Sequence, residues 1–157
     1  MEFNSTSLSR FLRERNVWFR LHEYDEDVKT VARAGEKVNT KEVVKSLVFM
    51  DSNDEPFIII LPADRKVNFK KAKRVLGVKD VRLARPDEVL RYSGYPVGAV
   101  PPVFHKNIKR VILDSHAMRM GKVFAGGGDT NKLIEMRVED IRRIDDPVIA
   151  DISEAKR

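Results

Sequence analysis

Apolar residues recur along the chain with two different periods, which predicts a mixture of helices and strands. Spacings of three and four residues beside capping side chains indicate helices, whereas alternation with a period of two indicates half-buried strands. Helices are predicted at residues 5–15, 30–37, 40–44, 69–76, 85–91 and 138–144. Strands are predicted at residues 17–22, 46–51, 57–61, 81–83, 110–113, 122–125 and 133–136, with a short turn or helix at 115–120.

The order of these elements lacks the regular strand–helix–strand alternation of a doubly wound fold. The polar segment 52–56 joins two strands and is typical of a hairpin turn. We therefore predict an α/β fold of the α+β type, with a central mixed, largely antiparallel sheet surrounded by helices. It forms a single domain over residues 1–157, in which the charged residues 151–157 fray or form a loose tail.

Composition narrows the class of protein. With 157 residues the chain can bury a core of its own, and the absence of cysteine excludes disulfides, zinc–thiolate sites and thiol nucleophiles. The longest apolar run, residues 56–63, has the length of a strand, and no secretory signal pattern is present at the N-terminus. These features predict a cytoplasmic protein that does not bind a membrane.

The chain carries a formal net charge of +6, which biases it toward polyanionic partners. Six of its basic residues crowd the stretch 65–74, which contains no acidic residue. Such a run is typical either of a solvated helix face or of a nucleic-acid contact.

Glycine is concentrated in one part of the chain. Six of the eight glycines lie between Gly94 and Gly128, in the loops 94–102 and 126–129 and at Gly121. Glycine is needed where the backbone adopts a positive φ or where another group approaches the main chain closely. The two loops therefore indicate either tight turns or a ligand site.

Several familiar sites are excluded by residue type. The residue after Gly126 is Gly127 instead of the lysine of a phosphate-binding loop, and Pro56 stands where a calcium loop needs glycine. The three histidines lack metal-ligand spacing, and no serine lies in a hydrolase elbow. Main-chain N–H groups of the glycine loops remain as donors to an oxyanion. Lys45, embedded between apolar residues, either extends outward to solvent or points into a cleft.

Several of these features occur in the order found in the YbaK/EbsC family, which the chain resembles over roughly residues 20–142. This family includes the editing domain inserted in many bacterial prolyl-tRNA synthetases and its stand-alone relatives. The matching features are Thr30 at a helix start, the segment 43–49 around Lys45, a Gly-x-x-x-Pro loop at 98–102, Asp114 at a strand end, and the glycine triplet 126–128 followed by Asp129.

The resemblance implies an α/β domain that hydrolyses the ester between a wrong amino acid and the 3′ end of tRNA, assisted by a ribose hydroxyl, without cofactor or metal. It implies catalytic roles for Lys45 and Gly98. The substrate-binding residues that it implies are Thr30, Ser46, Phe49, Ala99, Val100, Pro101, Pro102, His105, Asp114, Gly126, Gly127, Gly128 and Asp129. The tRNA backbone is predicted to meet the basic stretch, at Lys66, Lys70, Lys71, Lys73 and Arg74, or the cluster Lys106, Lys109 and Arg110.

We therefore predict a monomeric deacylase that acts in trans on mischarged tRNA, with an aminoacyl-tRNA synthetase as a candidate second partner. Ala99 replaces a glycine that is frequent in the loop, and Phe104 stands where many relatives carry a small residue. We expect their bulk to reshape the pocket and so to affect which amino acid is removed. These two departures favour an alternative, a non-catalytic module that binds tRNA ends or a synthetase. A further alternative is a hydrolase of small aminoacyl esters that does not use tRNA.

Overall fold

Helices and strands alternate along the chain much as the periodicity predicts. The computed structural model describes residues 2–156, with the side chains of residues 31 and 32 left aside. The strands are β1 (Phe19–Glu23), β2 (Val44–Asp51), β3 (Pro56–Pro62), β4 (Arg65–Val67), β5 (Val81–Leu83), β6 (Val111–Asp114), β7 (Lys122–Gly126), β8 (Lys132–Arg137), β9 (Val148–Ala150) and β10 (Ser153–Ala155). The helices are α1 (Ser5–Glu14), α2 (Val31–Gly35), α3 (Phe69–Leu76), α4 (Pro86–Ser93) and α5 (Val138–Asp145), with single 3₁₀ turns at Thr40–Glu42 and Ala117–Arg119.

Three sheets organise these strands. The largest has the order β5-β2-β3-β6-β9, in which β2 and β3 form the predicted antiparallel hairpin while β6 and β9 run parallel to β3. A smaller antiparallel sheet has the order β1-β8-β7, and β10 pairs with β4. The prediction of a mixed, largely antiparallel α/β fold is confirmed. None of the helices within residues 2–156 combines the length and apolar character that crossing a bilayer requires.

The core lies on both faces of the largest sheet. Strand β3 is buried from Phe57 to Leu61, which explains why its sequence is apolar without alternation. One face packs against the inner face of the smaller sheet and against α1 and α5, through residues such as Ile60, Ile134 and Leu12. The opposite face, which includes Phe49, is covered by α3.

Local capping chemistry sets several helix boundaries. Helix α3 begins after Asn68, whose side chain accepts a hydrogen bond from Lys71 N, and ends at Gly77 with φ +67°. Thr30 caps α2 in the same way, as predicted. The segment around Val44 differs from the prediction, because it begins β2 instead of continuing a helix.

The C-terminal segment is well anchored, so the prediction of a loose tail at residues 151–157 is wrong for its described part. Ile152 and Ser153 are fully buried, and β10 pairs with β4. Asp114, which is also fully buried, accepts hydrogen bonds from Ile152 N at 3.3 Å and from Ser153 Oγ at 2.5 Å. Two donors on a buried carboxylate offset its desolvation and fix the segment in place.

Candidate functional site

A cleft lies where the largest and the smaller sheets meet. Val43, the residue before β2, forms one isolated parallel bridge with Phe124 of β7, and β2 and β7 share no other pair in the described part of the chain. The cavity that follows has a volume of about 150 Å³ and is mostly apolar. Six of the sequence-predicted residues line it: Thr30, Lys45, Ser46, Gly98, Val100 and Gly126.

Strand β2 contributes an unpaired edge to this cleft. Ala63 N donates to Val43 O, so the hydrogen bonds to β3 involve the odd-numbered residues of β2. The N–H and C=O groups of Ser46 therefore point away from β3, and β5 pairs only farther along, from Phe49. The Oγ of Ser46 is buried and has no hydrogen-bond partner within the described residues. A buried hydroxyl without a partner is costly, and Ser46 meets the cleft at the unpaired edge of β2.

Lys45 extends from the opposite face of the same strand and is half-buried at the cleft. Its Nζ donates to the carbonyl oxygen of Arg65 at 2.7 Å. Burial is the main cause that lowers the pKa of Lys45 to about 8; the ammonium of Lys156 lowers it further, and Asp64 acts in the opposite direction. Two of its three N–H groups remain available for a ligand.

The two glycine loops pack against each other and form the other wall. Gly126 has no room for a side chain, because a Cβ there would lie 2.4 Å from Val100 O. Gly98 has φ +84°, and its Cβ would lie 2.4 Å from Lys29 O. Gly128 N donates to Ala99 O at 2.9 Å, which joins the loops directly. Gly98 N–H has no acceptor among residues 2–156, so it is a main-chain donor available to the cleft.

Comparison with known proteins identifies the class of domain to which this cleft belongs. A family model described as the aminoacyl-tRNA editing domain matches residues 25–144. The chain belongs to this family. It is 30% identical over 138 residues to uncharacterized protein YwhH of Bacillus subtilis (strain 168), covering 87% of this chain and 85% of that protein.

Three further proteins are similar to this editing domain. It is 35% identical over 108 residues to a proline–tRNA ligase of Halalkalibacterium halodurans; this covers 68% of the chain but only 19% of the ligase. The crystal structure of hypothetical protein APE2540 matches with a TM-score of 0.86 and 33% identity, over 94% of this chain and 99% of that one. A candidate trans-editing enzyme for prolyl-tRNA synthetase matches with a TM-score of 0.84 and 24% identity, over 96% and 97% of the two chains, which shows a common fold.

Three other predicted residues of the editing domain lie away from the cleft. Phe49 is buried in the core, with its ring stacked 5.6 Å from that of Phe57. Asp114 anchors the C-terminal segment instead of lining the cavity. Asp129 accepts hydrogen bonds from Ser5 Oγ at 2.5 Å and from Lys132 Nζ at 3.2 Å, so it holds the start of α1. The matched motif gives the order of these residues but not the direction in which their side chains point.

The far end of the first glycine loop is structural in this arrangement. Ala99 is fully buried, and Pro101 and Pro102 are buried too. The ring of Phe104 packs 4.6 Å from that of Phe11, and neither Phe104 nor Ala99 lines the cavity, so their bulk does not act on it by direct contact. The two departures that favour the non-catalytic alternative therefore lie outside the cavity lining.

His105 and the last two glycines of the triplet help to hold the loops. The Nε2 of His105 lies 2.7 Å from Pro101 O, and burial lowers the pKa of its ring to about 4, so the neutral ring donates to this carbonyl. Gly127 N donates to Lys132 O at 3.1 Å. Gly128, with φ +92°, packs against the backbone of Ser5. None of these three residues lines the cavity.

The predicted basic stretch divides into paired and exposed residues. Lys66 lies 3.5 Å from Glu154 and Lys71 lies 2.9 Å from Asp151, so both attach the C-terminal segment to the domain. In the described part of the chain, three others have no carboxylate within 4.0 Å: Lys70, Lys73 and Arg74. The exposed surface of α3 therefore has a smaller set of available cations than the sequence indicates.

A second basic surface, not predicted from the sequence, surrounds Trp18. The charged groups of Lys122, Arg137 and Arg20 lie 4.5, 5.0 and 6.0 Å from its ring. Lys122 and Arg137 are cross-strand partners on β7 and β8, and all three cations are exposed. Like charges on facing positions of a sheet repel each other. The attraction of these cations to the ring of Trp18 offsets part of that repulsion. We call Trp18, Arg20, Lys122 and Arg137 the tryptophan surface.

A cluster of potential metal ligands is occupied by hydrogen bonds. The ligand atoms of Asp114, His116 and Asp151 lie within 4.8 Å of one another. Both oxygens of Asp114 accept bonds from the C-terminal segment, and Asp151 contacts His116 and Lys71. The ammonium group of Lys71 also disfavours a metal cation at this place. The cluster therefore anchors residues 151–153.

Proposed function

We propose that this editing domain is a deacylase that acts in trans on mischarged aminoacyl-tRNA and hydrolyses the ester in the cleft. The observation that supports it best is the convergence of Lys45, Ser46 and both glycine loops on one cavity. The lysine supplies charge, Ser46 contributes the unpaired edge of β2, and Gly98 supplies a main-chain donor.

For hydrolysis of an aminoacyl ester, the main task of the protein is to position the substrate. An aminoacyl ester is already reactive, so holding it beside a water molecule and stabilising the developing oxyanion removes much of the barrier. We propose that Gly98 N–H donates to the ester carbonyl and that Lys45 binds the terminal adenosine or its phosphate. A ribose hydroxyl of the substrate then assists the attack by water, because the chain has no cysteine and the described residues that line the cavity include no histidine to activate the Ser46 hydroxyl.

The size of the cavity favours a small aminoacyl group. Its volume of about 150 Å³ is below the roughly 300–1,000 Å³ that is typical of pockets for larger ligands. An apolar cavity of roughly this size can hold a molecule like benzene. One methylene group changes binding by only about 1–3 kcal/mol, so a second site that selects by size adds discrimination that a synthetase pocket lacks.

The experiment is a deacylation panel that begins with mischarged tRNA for proline, because proline–tRNA ligases are among the relatives. We expect release of one or a few small amino acids and at least a tenfold loss in Lys45→Ala, with Lys79→Ala as an exposed control lysine. Hydrolysis of no member of the panel, or full activity in Lys45→Ala, would refute the assignment. Saturable binding without hydrolysis would instead support the non-catalytic alternative.

The basic surfaces give a test of tRNA contact. We propose that the phosphates meet either the cations of α3 that have no carboxylate partner within the described residues, Lys70, Lys73 and Arg74, or the tryptophan surface. Each phosphate contact that is removed lowers the salt dependence of log K by roughly one. Two double variants test this: Lys70→Glu with Lys73→Glu, and Lys122→Glu with Arg137→Glu. Only the pair that contacts the tRNA should weaken tRNA binding and lower the salt dependence of log K. Activity that is insensitive to salt and to both pairs would favour the hydrolase of small esters.

A further inference from the structure

The C-terminal segment brings a second lysine to Lys45. Strand β10 is held against β4, and Ser153 is fixed by Asp114 and by Arg65 Nε at 2.7 Å. The chain then reaches Lys156, whose Nζ donates to the carbonyl oxygen of Ala63 at 2.9 Å. Lys156 lies beyond residues 25–144, which the editing-domain model matches.

The two ammonium groups share one turn. Lys45 Nζ donates to Arg65 O at 2.7 Å, and Lys156 Nζ donates to Ala63 O, so the lysines bind carbonyls on either side of Asp64. After burial, the charge of Lys156 is the next cause that lowers the pKa of Lys45, and Asp64 is the counter-charge that raises it. In the part of the chain that the structure describes, neither Nζ has a carboxylate oxygen within 4.0 Å.

Two adjacent like charges cost free energy unless an anion lies between them. Each ammonium uses one N–H on a carbonyl and keeps two for a ligand. Lys45 is half-buried at the cleft, whereas Lys156 is exposed beside it, so an anion at this place touches both the cavity and solvent. A phosphate group has the charge and the several acceptor oxygens that such a pair can bind.

We propose that Lys156 is a substrate-binding residue of this domain, and that with Lys45 it forms a two-lysine site for the phosphate of the 3′-terminal nucleotide of tRNA. The proposal rests on the proposed function for the identity of the nucleic acid. It adds a charged contact from outside the matched family segment, placed by the C-terminal strand beside Lys45, which lines the cleft.

The first test is nucleotide binding, which requires no deacylation. Adenosine 5′-monophosphate is titrated into the full chain by calorimetry or NMR, with adenosine as the probe without phosphate. We expect the monophosphate to bind more tightly, and Lys156→Gln to weaken it by about three- to tenfold, as for one exposed charge-assisted contact. Adenosine binding and the control variant Lys79→Gln should be unchanged.

The second test uses mischarged tRNA and the charge of Lys45. Lys156→Gln should raise KM with little change in kcat, and Lys156→Arg should restore KM, because arginine keeps the positive charge. An NMR titration should also show a higher pKa for Lys45 in Lys156→Gln than in the wild type. Equal nucleotide binding, KM and Lys45 pKa in both proteins would overturn the proposal. Phosphate-dependent binding with no deacylation would leave this site supported and reject the proposed function alone.

Discussion

The close fit of Gly98 against its neighbour gives a quantitative prediction with an internal control. An alanine Cβ at this position would lie 2.3 Å from Lys29 Cβ and 2.4 Å from Lys29 O, at a φ of +84°. Gly77 also has a positive φ, +67°, but nothing lies within 4 Å of its Cβ. Gly77→Ala therefore introduces only backbone strain, whereas Gly98→Ala adds a steric overlap.

The expected free energies of unfolding follow from these two contributions. A positive φ in an alanine costs about 1–2 kcal/mol, which is the whole effect expected for Gly77→Ala. Overpacking against backbone adds about 1–3 kcal/mol, so Gly98→Ala should lose roughly 2–5 kcal/mol. Urea unfolding measures both, and an unchanged m-value would indicate that the denatured state is not altered.

Activity separates the same two variants. Relief of the overlap has to move Lys29 or the loop around Gly98, both of which line the cleft, so we expect deacylation by Gly98→Ala to fall at least tenfold. Gly77→Ala should keep its turnover at temperatures where it is folded. If Gly98→Ala were no less stable than Gly77→Ala, or kept full activity, the close packing of this loop would be refuted.

Three further outcomes follow from the structure. Burial raises the pKa of Asp145 to about 8, and its Oδ2 has no partner within residues 2–156. Between about pH 4 and 8 the folded state therefore binds one proton more than the unfolded state, so the free energy of unfolding falls as pH rises. This dependence amounts to at most about 1.4 kcal/mol per pH unit. Asp145→Asn should remove it, as measured by urea unfolding at several pH values. Phe104→Ala should lower the melting temperature but leave the amino-acid preference of the panel unchanged. Truncation after Ala150 should destabilise the domain by more than about 2 kcal/mol in urea, because buried Ile152 and the partners of Asp114 are lost.

Elements defined by local chemistry could be predicted from the sequence. The helix at residues 69–76 is predicted and observed with the same bounds, because Asn68 and Gly77 act on the backbone beside them. The hairpin of β2 and β3 is predicted for the same reason, since its polar turn lies between two apolar runs. Such signals require no knowledge of distant residues.

Elements that depend on distant partners could not be predicted. Strands β4, β9 and β10 have three residues each, and none of them shows the apolar–polar–apolar alternation by which the equally short β5, Val81–Leu83, is predicted. Ser153 pairs with Val67, and its hydroxyl bonds to Asp114, so the segment looks like a charged tail until both partners are in place. The place of Lys156 beside Lys45 depends on the same pairing.

For the candidate site, the sequence predicts which residues take part better than it predicts where their side chains point. The family resemblance selects Lys45, Ser46 and Gly98, which meet at the cleft. It also selects Asp114, whose strand points its carboxylate toward the C-terminal segment. The unpaired edge at Ser46 arises because β5 pairs only with residues 49–51 of β2, and a mismatch in strand length between neighbours leaves no signature in either strand alone.

Several residues that line the cleft lie outside the matched motif features. Val28, Ala34 and Leu133 line it, and they form a small buried cluster of their own, separate from the two larger core clusters. The cost of truncating a buried side chain depends on how far its surroundings can close the space that it leaves. If the cleft binds an aminoacyl ester as proposed, we expect main-chain atoms of the glycine loops to hold the ester and these three side chains to set part of the room for the amino acid. We therefore expect substitutions at Val28, Ala34 or Leu133 to change which amino acid is released while Lys45 and Gly98 stay in place.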